Sequence, residues 1–269
     1  MYTHNLDPIL FSFGFFSIRW YSLSYILGIL IGWWLGKRII NHILKISKLK
    51  FELKEFDDLI TYIIISIIIG GRLGYIIFYN LEYYIFHPIE IFKVWEGGMS
   101  FHGALIGIIF GTCLFASKKK ISVFFLLDII ACVAPIGIFL GRIANFINGE
   151  LIGKTTSVPW GVIFPAVDSL SRHPSQLYEA LLEGFVLFFI LNRIIFKQSY
   201  ETGTCSCLFL IFYGIFRIIA EFFREPDVQL GYLLNLFSMG MLLSFFMILA
   251  GLLILNILRK KNEKKQNIF

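Results

Sequence analysis

GRIANFINGELIGK, residues 141–154, closes an oily segment with an arginine, two asparagines and a glutamate. At helical spacing Arg142, Asn145 and Gly149 share one face, with Asn148 and Glu150 at its outer rim. An arginine there suits an anion. Its planar fork of donors can hold a phosphate in two contacts, which strengthen where water is scarce. The plainer reading is a snorkelling arginine beside an asparagine that satisfies backbone at a helix end.

A second group lies in YGIFRIIAEFFREPD, where Tyr213, Arg217, Glu221 and Arg224 recur at spacings of four, four and three and so form one stripe on a helix. Ionisable groups inside a bilayer are costly unless paired or wet, so the stripe needs a polar partner. An internal Arg217–Glu221 pair with Arg224 snorkelling outward is the structural alternative. Arg72 stands among Gly70, Gly71 and Gly74, where another helix can approach closely, and reads equally as a residue that glues helices together. His102 opens a helix after a glycine-rich turn in GGMSFHGALIG. A neutral imidazole can accept a proton near pH 7, although a histidine at a helix start is also a common cap or surface residue. His173, in RHPSQLYEALLEG, precedes Gln176, Tyr178 and Glu179 on the helix that follows. Metal binding is not expected, because His4, His42, His87, His102 and His173 show no ligand spacing and no HExxH motif occurs.

The elements that must position these groups are membrane elements. The 269 residues are 57% hydrophobic and only 16% charged, with a mean hydropathy of +0.77, far more apolar than a soluble domain. Seven spans follow, roughly Trp20 to Leu35, Leu59 to Tyr79, Phe101 to Ala116, Val123 to Ile147, Leu177 to Ile195, Cys205 to Phe223 and Leu233 to Leu258. The expectation is an all-α polytopic membrane protein, one integral membrane domain over 1–269, with an outer cap from 148–176 and a basic cytoplasmic tail at 259–269. KRIINHILKISKLKFELK, SKKK, NRIIFKQ and RKKNEKK are lysine-rich and alternate with mixed loops, which puts the N-terminus outside and the C-terminus inside. Arg72, His102, Arg142, Asn145, Arg217, Glu221 and Arg224 then fall on the outer side.

The net charge of +6 is read as an orientation signal rather than nucleic-acid binding. Cys113, Cys132, Cys205 and Cys207 read as packing residues. The first twenty residues lack a basic n-region and read as mature protein. VPWGVIFP suggests a turn or hairpin in the outer loop. YYIFHPIEIFKVWEGG is too short and too charged to cross, so its aromatics fit the headgroup layer.

FHGALIG, GRIANFINGELIGK, RHPSQLYEALLEG and YGIFRIIAEFFREPD, with RWYSLSYILG ahead of them, together resemble the prolipoprotein diacylglyceryl transferases of bacterial inner membranes. The likeness covers nearly the whole chain. One departure is Ala104, where the family motif usually reads HGG; a small residue there should keep the close approach. The resemblance implies transfer of the sn-1,2-diacylglyceryl group of phosphatidylglycerol to the lipobox cysteine of a prolipoprotein signal peptide, with release of glycerol phosphate. It also implies a multi-pass protein of the inner membrane bilayer with its active site toward the periplasm, and it calls for no cofactor.

By similarity, Arg142 looks like the phospholipid-binding arginine, and Tyr25, His102, Asn145, Glu150, Gly153, Tyr213, Arg217 and Glu221 match positions important in the family. The assignment taken forward gives His102, Arg217, Glu221 and Tyr25 to catalysis, and Arg142, Asn145, Glu150, Gly153, Tyr213 and Arg72 to substrate binding. Arg142 and Arg217 would hold the headgroup phosphate, Glu221 would steady one of them, and His102 would assist loss of the thiol proton. The competing class is an anion or lipid transporter, against which stand the apolar inner halves of the spans. A non-catalytic scaffold would not need so many convergent polar groups. A membrane protease would need an aspartate pair, and Asp128 and Asp168 fall at opposite ends.

Overall fold

Apolar runs in a bilayer must close their backbone hydrogen bonds internally, and helices do so. The computed structural model describes residues 2–13, 16–47, 49, 51–198, 200–225 and 238–266. In chain order these form β1 (Tyr2–Thr3), β2 (Ile9–Phe13), β3 (Phe16–Arg19), α1 (Trp20–Ile46), α2 (Leu53–Tyr79) and α3 (Leu81–Phe86). Two short 3-10 turns (Pro88–Phe92, Val94–Glu96), α4 (Phe101–Lys119), α5 (Val123–Asn148), β4 (Val162–Ile163) and β5 (Ser171–Arg172) follow. The chain continues with α6 (Ser175–Glu179), a π-helical stretch (Ala180–Val186), α7 (Leu187–Ile195), α8 (Thr204–Glu221) and α9 (Met239–Gln266).

Among the described residues six helices, α1, α2, α4, α5, α8 and α9, are long and apolar enough to cross a membrane. The span expected from Leu177 to Ile195 is one helical run, α6 to α7, widened in its middle by the π stretch. The protein is helical and polytopic, as its hydropathy requires. Several helix ends differ from expectation, α9 running on to Gln266. α1 continues through the lysine-rich segment to Ile46 because Ile39, Ile40 and Ile43 carry a buried apolar stripe beyond the hydropathy peak. α2 starts at Leu53 for the same reason, with Phe56 buried in its first turn. Residues 233–237 of the last expected span and 267–269 of the tail lie outside the described residues.

The chain divides into two compact units, Met1–Ile39 with Asp128–Phe269, and Ile40–Leu127. In the second unit α2 and α4 pack along a seam of glycines. A Cβ on Gly103 would come 2.7 Å from Gly74 Cα, and one on Gly107 3.1 Å from Gly70 Cα, so only glycine permits this approach. Ala104 sits beside the seam, 3.7 Å from where a Gly71 Cβ would lie, an ordinary contact that tolerates its methyl group.

In the first unit the hairpin expected between residues 148 and 176 is β4 paired antiparallel with β5, and β1 adds to β4 in parallel. The N-terminal hairpin β2–β3, in register Phe11↔Ile18 and Phe13↔Phe16, was not foreseen. Its signal is the run ILFSFGFFSIR, two strand-like stretches broken at a glycine.

Candidate active site

Helix α5 ends where Gly149 takes a left-handed φ of +66° and its N–H reaches Phe146 O at 3.0 Å, a glycine stop. The turn brings Glu150 back onto the helix. Its Oε1 accepts from Asn145 Nδ2 at 2.7 Å and from Asn148 Nδ2 at 3.4 Å, while its N–H donates to Asn145 O at 3.1 Å. Asn145 and Glu150 are therefore a mutually held pair, and Gln176 Nε2 adds a 2.7 Å bond to the Glu150 carbonyl.

Arg142, one turn back, points at α6 and the π stretch. Its Nη1 lies 2.8 Å from Glu179 Oε2 and its Nη2 3.1 Å from Glu183 Oε2. Both glutamates are fully buried. Glu183 can reach Arg142 because its neighbour Gly184 lies against α5, where a Cβ would come 2.8 Å from Phe139 Cα.

The α8 stripe meets the same carboxylates. Arg217 Nη1 is 2.9 Å from Glu179 Oε2 and 3.6 Å from Glu183 Oε1, and its Nη2 pairs with Glu221 Oε1. One oxygen of Glu179 thus serves two arginines from different helices. Tyr213 is buried and stacked on Phe209 with ring centroids 5.5 Å apart, one turn before Arg217 on α8. The expected Arg217–Glu221 pair is present, but Arg224 does not snorkel. It is buried, 3.8 Å from Glu221, in a stretch that bridges to Gly153.

Gly153 belongs to that ladder. Lys154 N–H donates to Phe223 O at 2.9 Å and Glu225 N–H to Ile152 O at 3.1 Å. A Cβ on Gly153 would fall 2.8 Å from Phe223 O, so glycine is needed for residues 152–154 to close on the end of α8. Arg172 ties the same corner, donating to Gly153 O at 3.1 Å and to Asp168 Oδ2 at 2.5 Å. That contact holds the Asp168 carboxyl below the usual carboxylate range. Next to it Trp160 Nε1 donates to Tyr178 Oη at 2.8 Å, and His173 Nδ1 lies 3.2 Å from the same hydroxyl. Burial lowers the His173 pKa, favouring the neutral ring.

Tyr25 is exposed on α1, its hydroxyl donating to Tyr21 Oη at 3.3 Å. Asp128 and Asp168 have separate partners. Asp128 is buried and accepts from Gly203 N at 2.5 Å, Ser206 N at 2.6 Å and the Tyr200 hydroxyl, anchoring the start of α8. Burial first, and then the Asp128 carboxylate, push the Tyr200 pKa up.

His102 and Arg72 belong to the other unit. His102 is half-buried in the first turn of α4, edge-on to Phe101 at 5.4 Å. It is not the cap, because Ser100 Oγ accepts from Gly103 N at 3.2 Å. Arg72 is buried and its donors go to backbone: Nε to Ile91 O at 3.0 Å, Nη1 to Gly97 O at 2.5 Å, Nη2 to Glu90 O at 2.6 Å.

The family model described as prolipoprotein diacylglyceryl transferase matches residues 8–257. The chain belongs to this family. A relative from Rickettsia typhi, named phosphatidylglycerol--prolipoprotein diacylglyceryl transferase, is 53% identical over 255 residues, covering 93% of this chain and 96% of the relative. Proteins of the same name from Rickettsia felis and Ehrlichia canis are 51% and 50% identical, over 92% and 91% of this chain and 95% and 94% of their own lengths. In this member of the prolipoprotein diacylglyceryl transferase family Arg142 and Arg217 gather on Glu179 and Glu183, with Glu221 on the far side of Arg217. Sequence reasoning noted Glu179 only in passing and missed Glu183. Two carboxylates four residues apart inside an apolar run were the available signal, since such charges need cationic partners.

Proposed function

We propose that this multi-pass membrane transferase moves the diacylglyceryl group of phosphatidylglycerol onto the lipobox cysteine thiol of a prolipoprotein. One observation carries the reading: in a member of this family, Arg142 and Arg217 meet on a single carboxylate oxygen, at 2.8 Å and 2.9 Å. Three arginines (Arg142, Arg217, Arg224) here face three glutamates (Glu179, Glu183, Glu221). A phosphate presented to Arg142 and Arg217 competes for donors now aimed at Glu179 and Glu183, and in a dry site those donors are already oriented.

In the reaction the thiol sulfur attacks the glycerol carbon bearing the phosphate ester. A C–S bond forms, the C–O bond breaks, and glycerol phosphate leaves with the bonding pair and its charge on the arginines. The thiol, with an ordinary pKa of about 8.5, must lose its proton, and His102 is the base assigned to take it. Asn145 and Glu150 shape the headgroup pocket beside Arg142, Tyr213 and Gly153 line and close it, and Tyr25 supplies a hydroxyl. Arg72 holds the segment 88–98 rather than the lipid. No cofactor is invoked, because the phosphate is itself the leaving group.

The reading takes residues 1–269 as one membrane domain in a bacterial inner membrane, N-terminus outside, site toward the periplasm, residues 148–176 as its cap and the basic tail in the cytoplasm. Lysine asymmetry between the loops supports that orientation. The relatives' names support transfer over an anion or lipid transporter.

Purified protein mixed with phosphatidylglycerol and a lipobox peptide should yield a diacylglyceryl adduct on the cysteine by mass; no adduct from folded protein overturns the reading. For the base, His102→Gln should depress transfer most near neutral pH, and an unchanged pH profile removes His102 from the mechanism.

A further inference from the structure

The Arg217–Glu221 pair lies under the first turn of α9, and the contact is made through a residue with no side chain. A Cβ on Gly240 would stand 2.8 Å from Glu221 Oε1, 3.3 Å from Glu221 Cδ and 3.5 Å from Arg217 Nε. The first of these is inside van der Waals contact, so a methyl group at this position must displace something.

What yields is decided by the neighbours. The first turn of α9 is fixed by Ser238, whose Oγ accepts from Met241 N at 3.1 Å and whose carbonyl accepts from Leu242 N at 3.1 Å. Farther along, α8 and α9 already touch backbone to backbone. A Cβ on Gly214 would come 2.8 Å from Ser244 O, and one on Gly251 2.9 Å from Cys207 O. A helix seated this closely over several turns does not back away as a body without losing packing along the seam. Glu221 Oε1, by contrast, is the far end of a side chain and gives way before backbone does, loosening its buried contacts to the arginines. The carboxylate moves, and with it the bond to Arg217 Nη2 and the 3.8 Å approach to Arg224.

We propose that Gly240 is a positioning residue: the bare backbone of the first turn of α9 sets where the Glu221 carboxylate stands, and through it the orientation of the Arg217 guanidinium. This rests on the reading that Arg217 holds the headgroup phosphate. It goes beyond that reading in assigning α9, which contributes no ionisable group to the cluster among the described residues, a part in aligning it.

A double-mutant cycle with a stability control tests it, all variants being full-length protein in the phosphatidylglycerol and lipobox-peptide assay. Gly240→Ala should lower Tm less than Gly251→Ala does and lower kcat/KM by roughly 10-fold or more, the scale of an ångström-level misplacement. Gly251→Ala, in the same seam but away from Glu221, should lower Tm and leave turnover per folded enzyme near the parent's. Glu221→Asp draws the carboxylate back by about one bond, ~1.5 Å, away from the added methyl. Gly240→Ala on top of Glu221→Asp should therefore cost little beyond Glu221→Asp alone. Losses that multiply, parent-like activity of Gly240→Ala, or a Tm loss as large as that of Gly251→Ala would each overturn the proposal. Parent-like activity of both Glu221→Asp and Glu221→Gln would instead overturn the role of the pair beneath it.

Discussion

Arg72 in α2 and Arg217 in α8 are both buried on apolar helices, yet they are answered by different groups. Backbone carbonyls of residues 90, 91 and 97 take the Arg72 donors, while Glu179, Glu183 and Glu221 take those of Arg217. Carbonyls are fixed by the fold and carry no charge to exchange, so Arg72 staples a segment in place. Carboxylates on side chains can release a guanidinium to another anion, and a carboxylate oxygen shared between Arg142 and Arg217 already couples two helices. A buried arginine is thus read by its partners, not by its depth.

The largest effect that would break this contrast is expected at Arg142. Arg142→Ala should reduce transfer by roughly 10²–10³-fold and abolish tight phosphatidylglycerol binding, because it removes oriented donors and leaves the buried Glu183, among the described residues, with only the 3.6 Å approach of Arg217. Tight lipid binding retained by that variant would put Arg142 with Arg72 as a structural residue.

Glu183→Gln comes next. It keeps the shape of the site but weakens the hold on Arg142 at 3.1 Å, and turnover should fall ~10-fold with the lipid KM rising. Equal kinetics with lowered Tm would mean that Glu183 only neutralises charge.

Arg72→Met should do the reverse of both, costing roughly 1–3 kcal/mol of stability as part-buried carbonyls lose their donors, while transfer per folded enzyme stays within about 3-fold. Thermal unfolding measured beside activity separates the two, and a large loss of specific activity at unchanged Tm would erase the distinction.

The smallest effect is at His173, beside Tyr178 and Trp160. Its pKa is lowered on folding, so the unfolded chain protonates first as pH falls. Stability is full above about pH 6.5 and declines through the interval below it, down to the lower folded-state pKa. Tm compared at pH 7.5 and 5.5 should show a shallower drop for His173→Gln; an identical slope would mean that the ring is not linked to folding.

Much of this arrangement was legible as pattern. The 3.6-residue period put Tyr213, Arg217 and Glu221 on one stripe, and they are buried together on α8. Glycines around Arg72 foretold a close helix approach, found between α2 and α4. Glu183 escaped because hydropathy averages over a window, and one carboxylate among Leu, Phe and Val barely lowers the sum. The alternative in which Arg224 snorkels fails because residues 152–154, far away in sequence, fold over it.

Residue order and chemistry alone settled the class of molecule: long apolar runs in a bilayer admit only backbone that satisfies itself, and charges within them must find partners. Which partner each charge found was a matter of folding in three dimensions. Arg142 and Arg217 lie on helices separated in sequence by the β4–β5 segment and the α6–α7 run, and no local period relates them. They meet on Glu179, beside the place where Gly184 lets the π stretch touch α5, and a bare Gly240 leaves room for α9 next to Glu221. The decisive terms are distances of a few tenths of an ångström between backbones, which depend on what is absent from a glycine on one helix and what stands opposite on another.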